Sequence, residues 1–292
     1  MMSFEIVTDS SANLPEEQIR QLGIHLVSLS FIVNGQEYKS YSKNEQTDLS
    51  KFYTMMREGS VIQTSLVNTG HFIQLFEPIL SQGRDILYIG MSSALSGTYQ
   101  SGLAAAKALQ EDYPERRIIA IDSLSASLGQ GLLVYYAAQM RAEGRSLAET
   151  ASWIDDNRLR MRHHFTVDDL MFLRRGGRIP AASAIIGTLL SIKPMLVMND
   201  SGELTVVGRV RGRRPSLKAL ADQLSFHAID IDQQIIAITH GDSLEDAVYL
   251  EELIRARHQP RDVLVHVVDP VLGAHAGPGT MALFFLGKDR KA

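Results

Sequence analysis

The chain has 292 residues, of which 45% are hydrophobic and 21% are charged. This length fits two domains of ordinary size, and the composition excludes a disordered or fibrous protein. The formal net charge is −4 and cysteine is absent, which argues against a nucleic-acid partner and excludes disulfides and thiolate metal sites. No apolar run reaches the roughly 20 residues of a membrane span, and no signal peptide is visible. We therefore expect a cytoplasmic protein.

Strands and helices alternate along the first half of the chain. The pattern predicts strands at 4–7, 25–33, 85–89 and 117–121, and helices after Pro15, near 48–58 and 70–82, and over 96–112, 127–143 and 147–160. Strands that are separated by helices of this length form a mostly parallel sheet with helices on both faces. We therefore predict an N-terminal α/β domain with a parallel sheet over 1–162.

The pattern changes from about residue 163. Two short strands at 195–198 and 204–207 flank the turn residues 199–202, as in a hairpin. They are followed by a helix near 215–227, a strand at 234–239, a helix at 243–257 and a strand at 263–268. This order predicts a C-terminal α+β domain over 163–292, with a ligand cleft where the two domains meet.

Short polar residues and glycine collect at the ends of the predicted strands, where ligands bind in open α/β sheets. They occupy 8–11, 63–65, 92–98 and 122–123. In the third segment Ser92 and Ser93 follow a strand and Ser96 opens a helix, so hydroxyls and backbone N–H groups point toward one anion. These donors, together with Thr64, suit a carboxylate. The alternative is that the hydroxyls only cap helices and turns.

The segment 271–280 contains three glycines and one histidine, His275. We expect a loop here, because the segment is too rich in glycine for an ordinary helix or strand. Glycine lets a ligand approach the backbone closely, and a histidine can donate a hydrogen bond to an anionic head group. The alternative is a histidine in a surface turn.

Two arginine clusters lie in the second half of the chain. The first is Arg174, Arg175 and Arg178 around two glycines, and the second is Arg209, Arg211, Arg213 and Arg214. Each could bind phosphate, pair internally or attract an acidic partner, with simple solvation as the alternative. Dense arginine on an acidic chain favours a protein-docking surface at the second cluster.

Motifs of common enzymes are absent from the sequence: there is no P-loop, no dinucleotide fingerprint, no HExxH and no complete nucleophile elbow. The nine histidines lack metal-ligand spacing, and the adjacent His163 and His164 would point to opposite faces of a strand. Asp9 and Asp122 stand at strand ends, where aspartates usually cap neighbouring backbone amides rather than catalyse.

Several ordered motifs span essentially the whole chain. They are Val7-Thr8-Asp9-Ser10-Ser11, Thr64-Ser65, the segment 92–98, the segment 165–170 with Gly176-Gly177-Arg178-Ile179, Lys193-Pro194 and the segment 273–279. In these motifs the sequence resembles the DegV family of fatty-acid-binding proteins, which includes the binding subunit of bacterial fatty acid kinase. One departure is that family members usually place prolines around the threonine, whereas this chain reads Gln63-Thr64-Ser65-Leu66-Val67. We expect this loop to be less rigid here.

The resemblance implies a DegV-like fold with a long-chain fatty acid buried between and within the two domains. The implied ligand-binding residues are Thr64, Ser65, Ser93, Ser96, Arg178 and His275. Thr64 and Ser96 would bind the carboxylate, and His275 and Arg178 would support it, with Arg175 as the alternative to Arg178. The resemblance implies no catalytic residue, no metal and no cofactor besides the fatty acid ligand. Ile185, Ile186, Leu189 and Leu190 are candidate tunnel residues, with an ordinary core as the alternative.

The main hypothesis is that the protein presents a bound fatty acid to a separate ATP-dependent fatty acid kinase subunit, which forms the acyl-phosphate. Transient membrane contact is a further expectation. The runner-up is an acyl hydrolase or transferase that uses Ser93 or Ser96 with His275, which requires serine and histidine within hydrogen-bond reach. A third reading is a lipid-sensing or transport module without a kinase partner.

Overall fold

The computed structural model describes residues 4–42, 47–180 and 191–290. The strands are β1 (Phe4–Asp9), β2 (Ile24–Val27), β3 (Ser30–Val33), β4 (Gln36–Lys39), β5 (Ile62–Ser65), β6 (Asp85–Gly90), β7 (Ile118–Asp122), β8 (Met161–Thr166), β9 (Ile192–Met198), β10 (Leu204–Arg211), β11 (Ile235–His240), β12 (Asp262–Val267) and β13 (Met281–Leu286). The α-helices are α1 (Glu16–Gln21), α2 (Leu49–Arg57), α3 (Thr69–Ser81), α4 (Thr98–Asp112), α5 (Leu128–Ala142), α6 (Leu147–Asn157), α7 (Met171–Arg175), α8 (Arg213–His227), α9 (Leu244–Arg255) and α10 (Pro270–Ala276).

The N-terminal sheet is parallel and has the strand order β2-β1-β6-β7. Helices cover both of its faces. Side chains alternate along each strand, so neighbouring residues pack against different helices. Ile6 and Ile89 pack with α5 and α6, whereas Val7 and Tyr88 pack with α3 and α4. The predicted parallel sheet with helices on both faces is confirmed, and it places the ends of β1, β6 and β7 at one edge.

The apolar run 25–33, predicted as a single strand, is divided between two sheets. Its first part is β2, and its second part, β3, forms a three-stranded antiparallel sheet of order β4-β3-β5. The chain changes direction at Ser28 and Leu29, where Leu29 N donates to Ser10 Oγ at 3.0 Å and Tyr41 N donates to Ser28 Oγ at 2.9 Å. The single-strand prediction was wrong because a continuous apolar run carries no signal for a change of sheet.

The C-terminal sheet is mixed, with the strand order β10-β9-β8-β13-β11-β12. β9 and β10 form the predicted hairpin, and β11 runs parallel to β12 while its other neighbour, β13, is antiparallel to it. One face of this sheet packs on α8 and α9, and the other face shares a core with α5. The mixed α/β fold expected from the sequence is therefore confirmed. The domain boundary between 162 and 163 falls inside β8 and stays a prediction.

Within the described ranges, no helix combines the length and apolar character needed to cross a membrane. The candidate tunnel residues Ile185, Ile186, Leu189 and Leu190 lie outside the described residues.

Candidate functional site

A cavity of about 220 Å³ lies where the ends of the parallel strands meet the inner face of the mixed sheet. Most of its wall is apolar and comes from the mixed sheet, from β5, from α10 and from the loops that follow β2, β6 and β7. Prominent apolar lining residues are Leu29, Leu95, Phe165, Leu173, Met198 and Phe284. A cavity with such walls suits a ligand with a long apolar part.

Polar side chains gather in one part of this cavity. Thr64 Oγ1 on β5 and His275 Nε2 on α10 are 2.9 Å apart and hydrogen-bonded. Arg178 and Ser96 line the same cavity, as does Ser65. The structure therefore brings together five of the six residues named from the sequence. Because side chains alternate along a strand, Thr64 and Ser65 face opposite ways, and the contact with His275 shows that the Thr64 side chain faces this group.

His275 stands in a helix, not in the loop that the sequence suggested. The Asp269 carboxylate caps the N-terminus of α10 by accepting from Leu272 N at 2.7 Å, and Pro270 occupies the first turn. Gly277, at φ +85°, ends the helix. Gly273 serves packing rather than flexibility, because a Cβ there would lie 2.6 Å from the Tyr53 hydroxyl. The loop prediction was wrong because it took glycine content as a loop signal and missed the start signal Asp-Pro.

Burial makes His275 a neutral donor or acceptor rather than a cation. Loss of contact with water, and to a smaller extent the positive charge of Arg178, lower the pKa of His275 to about 4. A Cβ on Gly176 would lie 2.2 Å from His275 Nδ1, so the glycine at this position leaves room for the imidazole ring. Neutral His275 can donate from Nε2 to Thr64 Oγ1, which turns the threonine hydroxyl hydrogen toward the cavity.

Arg178 supplies positive charge beside this pair. Its Nε donates to the Leu95 carbonyl at 3.1 Å and its Nη1 donates to the Gly176 carbonyl. Burial lowers the pKa of Arg178, but a guanidinium stays protonated at neutral pH. Arg175, by contrast, is exposed and stacks on Phe172, with its guanidinium carbon 4.7 Å from the ring centre. The position of Arg178 therefore fits the supporting role better than that of Arg175.

The serines at 92–96 have different surroundings. Ser96 lines the cavity, and its Oγ also accepts from Thr98 N at 3.2 Å and contacts Thr98 Oγ1 at 2.9 Å. Its hydroxyl thus accepts from the first backbone N–H of α4, as in the alternative interpretation of a turn residue, although Gly97 is the N-cap residue. Ser92 Oγ donates to the Gly202 carbonyl at 2.8 Å. Ser93 is not among the described residues that line the cavity, and its N–H donates to the Asp122 carboxylate at 3.2 Å.

Asp9 and Asp122 bind backbone amides, as predicted. Asp9 accepts from Ser11 N at 3.1 Å and from Met91 N at 3.0 Å. Asp122 accepts from Leu124 N at 3.0 Å as well as from Ser93 N. The two carboxylates thus hold the loops that follow β1, β6 and β7 in place, and the loops after β6 and β7 carry part of the cavity wall.

Four polar residues of the cavity were missed by the sequence reasoning. They are Ser127, His163, Thr239 and Thr280. Phe165 and His163 are two residues apart on β8 and share a face of the sheet, which alternation alone could have indicated. The other three are brought together by the pairing of distant strands and by the start of α5, for which the sequence carries no local signal.

Comparison with known proteins places this chain in a family. The family model described as "DegV: Uncharacterised protein, DegV family" matches residues 3–288. A DegV domain-containing protein of Clostridium perfringens is 45% identical over 291 residues and is covered completely, as is this chain. Two solved structures with similar folds are of proteins described as binding fatty acids. In both comparisons the whole of the solved chain is covered.

The first is a DegV family protein of Thermus thermophilus described by its fatty acid binding, with 29% identity, a TM-score of 0.88 and 98% of this chain covered. The second is DegV of Bacillus subtilis, a fatty-acid-binding protein with 26% identity, a TM-score of 0.82 and 99% of this chain covered. The sequence match over nearly the whole chain and the shared fold agree with the motifs at the cavity. The chain belongs to the DegV family.

Proposed function

We propose that this protein binds a long-chain fatty acid in the cavity, with the carboxylate held by Thr64, Ser96 and Arg178. The observation that carries the proposal is an apolar cavity in which the Thr64–His275 hydrogen bond and the Arg178 guanidinium lie together. Two similar DegV proteins are described as binding fatty acids, which supports the same ligand class here.

The two parts of a fatty acid match the two parts of the cavity. Each buried CH₂ group contributes about 0.8 kcal/mol, so the apolar wall supplies most of the affinity for a long chain. The carboxylate accepts hydrogen bonds from the hydroxyls of Thr64 and Ser96 and is attracted by Arg178. Hydrogen bonds to a charged group contribute about 1.5–3 kcal/mol each. His275 acts as a positioning residue through its contact with Thr64.

The bound fatty acid is then presented to a separate ATP-dependent kinase subunit, which phosphorylates the carboxylate. The support for this step is that the sequence resembles the family that includes such binding subunits and has no nucleotide-binding motif of its own. A carrier for a kinase must keep the carboxylate near an opening, and Leu66, which lines the cavity beside Thr64, is 51% exposed.

Reconstitution tests the proposed presentation. We expect acyl-phosphate to form when the purified protein, a C16 or C18 fatty acid, ATP and the kinase subunit of the same organism are combined, and not when this protein is omitted. Absence of acyl-phosphate with every chain length, while the fatty acid is shown to bind, would contradict the kinase role and leave the binding role standing.

The contacts of His275 do not favour the hydrolase alternative. That mechanism needs a serine hydroxyl hydrogen-bonded to the histidine. His275 Nε2 instead contacts Thr64 Oγ1, and Ser96 Oγ contacts Thr98 Oγ1.

Co-purification from cells distinguishes a kinase partner from the partners of a sensing or transport module.

A further inference from the structure

The helix α10, which carries His275 near its end, begins at a carboxyl group with one unpaired oxygen. Asp269 Oδ1 accepts from Leu272 N at 2.7 Å and caps the helix. Asp269 Oδ2 is buried and has no partner at hydrogen-bond geometry in the described part of the chain. An ionised carboxylate in this position is costly, because it has lost its contact with water and gained no full set of donors in return.

The surroundings of Asp269 do not compensate its negative charge. Asp9, a second buried carboxyl group at the end of β1, repels it. The other titratable side chains around it belong to α1, α2, β12 and the loops after β4 and β11, and they are Glu16, Tyr53, Arg57, His266, Tyr41 and Asp242. Arg57 is paired with Asp242 at 2.5 Å. Burial keeps Tyr53 neutral by raising its pKa, and keeps His266 neutral by lowering its pKa to about 4.

Asp269 therefore holds a proton more readily than an ordinary aspartate. Burial raises the pKa of Asp269 to about 7, with a smaller contribution from the charge of Asp9. The N–H groups of Leu272 and Val271 and the nearby Ser40 hydroxyl offset this only in part. A proton, unlike a larger ligand, needs no open surface at the oxygen, because local openings of the fold admit water to it.

The same helix sets the distance from Asp269 to the proposed head-group site. Asp269 and His275 lie at opposite ends of α10, and six residues of an α-helix span about 9 Å. Thr64 Oγ1 is 2.9 Å from His275 Nε2. A ligand carboxylate at Thr64 thus lies on the order of 10 Å from the Asp269 carboxyl group. At an effective dielectric constant near 20, two negative charges at this distance repel enough to change an affinity about tenfold.

We propose that the fatty acid carboxylate and a proton on Asp269 bind cooperatively, so that the protein takes up a proton at this residue when the anionic ligand enters the cavity. This inference rests on the proposed binding of a fatty acid carboxylate at Thr64, Ser96 and Arg178. The proton comes from the solvent and forms the O–H bond of the Asp269 carboxyl group, which removes the repulsion between Asp269 and the ligand.

Protonation of Asp269 favours binding, and its ionisation opposes binding. Below the pKa of Asp269 the carboxyl group is neutral, whereas above this pKa its negative charge weakens the affinity for the ligand. By reciprocity, a bound carboxylate raises the pKa of Asp269 by about one unit. The affinity therefore falls as the pH rises from 6 to 9, although the fatty acid itself stays ionised over this range.

Isothermal titration calorimetry with hexadecanoic acid and the intact protein tests the inference. For the wild type we expect the affinity to be about tenfold higher at pH 6 than at pH 9. Near pH 7.5 we expect uptake of about half a proton per ligand, measured in buffers of different ionisation enthalpy. Asp269→Asn keeps an oxygen that caps α10 but cannot ionise, so its affinity should change less than about twofold over this range. Asp269→Ser, a second neutral cap, should behave in the same way.

Asp48→Asn is the matched control. Asp48 caps α2 in the same manner by accepting from Lys51 N at 3.0 Å, but its side chain is exposed to water. This variant should keep the pH profile of the wild type.

The inference is wrong if the wild type, Asp269→Asn and Asp269→Ser bind hexadecanoic acid with parallel pH profiles and equal proton uptake. In that case the binding of the fatty acid itself stands. Failure of hexadecanoic acid to bind to the wild type at any pH would instead remove the proposed function, and this inference with it.

Discussion

The hydrogen bond between Thr64 and His275 joins residues 211 positions apart and lies at the centre of the proposed carboxylate site. Replacement of Thr64 by valine removes the hydroxyl and keeps the volume. Because a hydrogen bond to a charged group contributes about 1.5–3 kcal/mol, we expect the affinity for octadecanoic acid to fall about ten- to a hundredfold. Isothermal titration calorimetry measures this change. Ser93→Ala, outside the cavity lining, is the control, and equal losses in both variants would contradict the assignment.

Gly176 controls the position of His275. A Cβ on Gly176 would lie 2.2 Å from His275 Nδ1, so Gly176→Ala must displace the imidazole ring and break its contact with Thr64. We expect fatty acid affinity to fall at least fivefold while the fold is retained. Gly208→Ala is the matched control, because the added methyl group meets its nearest neighbour at an ordinary 3.9 Å. Wild-type affinity in Gly176→Ala would show that His275 does not act on the site.

Local motifs predicted the outer part of the candidate site and could not predict the inner part. Thr64, Ser65, Ser96, Arg178 and His275 line one cavity because each lies in a motif at a strand end, near a helix end or in a turn, and such places meet at one edge of the fold. The positions of Ser127, His163 and Thr239 depend on the pairing of β8, β13 and β11 and on the approach of α5. Pairing between distant strands leaves no signal in the spacing of residues.

At the scale of elements, the start of α5 is the most strained point of the cavity wall. Ser127 adopts φ 55° and ψ −150° there. Glycine relieves this strain, which costs about 1–3 kcal/mol for other residues, although glycine also adds freedom to the unfolded chain. We expect Ser127→Gly to exceed Ser127→Ala in free energy of unfolding by about 1 kcal/mol. Urea unfolding followed by circular dichroism compares the two, and both variants lack the hydroxyl. Greater stability of the alanine variant would contradict the strained conformation.

Two elements differ from the sequence prediction for physical reasons. α10 replaces a predicted loop, because the capping residues Asp269 and Pro270 start a helix in which Gly273 gives close packing against Tyr53. The split between β2 and β3 follows from hydrogen bonds of Ser28 and Leu29 with distant residues. The predicted boundaries of the other elements lie closer to those of the structure, because the apolar periodicity and the capping residues are encoded in the local sequence.

At the scale of the whole molecule, α5 joins the two large sheets. Its apolar residues pack with β1 and β6 on one side and with β8, β11 and β13 on the other, so one continuous core extends through both halves. Alternation of strands and helices predicted the parallel sheet, and the hairpin signal predicted the mixed one. The small sheet of β3, β4 and β5 was not predicted, because its strands are short and one of them is exposed along its whole length.

The buried His164 predicts a loss of stability in acid. Burial and the charges of Arg162 and His227 lower its pKa to about 3 in the folded protein, against about 6.5 in an unfolded chain. Between pH 6.5 and 3 the unfolded state therefore binds a proton that the folded state does not, and the free energy of unfolding falls as the pH is lowered.

His164→Phe removes this proton and keeps a ring to stack on Phe285. One proton changes the free energy of unfolding by about 1.4 kcal/mol per pH unit. Between pH 7 and pH 5 we therefore expect the free energy of unfolding to fall by about 2 kcal/mol less in the variant than in the wild type. Urea unfolding at a series of pH values measures the difference. Parallel pH profiles for the two proteins would contradict the buried, neutral state of His164.

The central claim, that this protein carries a long-chain fatty acid in its cavity, is tested most directly by native mass spectrometry after gentle purification from cells. We expect the intact protein to retain one fatty acid, which adds its mass to that of the chain and is identified after release. Thr64→Val should retain less, and Ser93→Ala as much as the wild type. A protein that is free of lipid, and that takes up none when fatty acids of C14 to C20 are added, would contradict the claim.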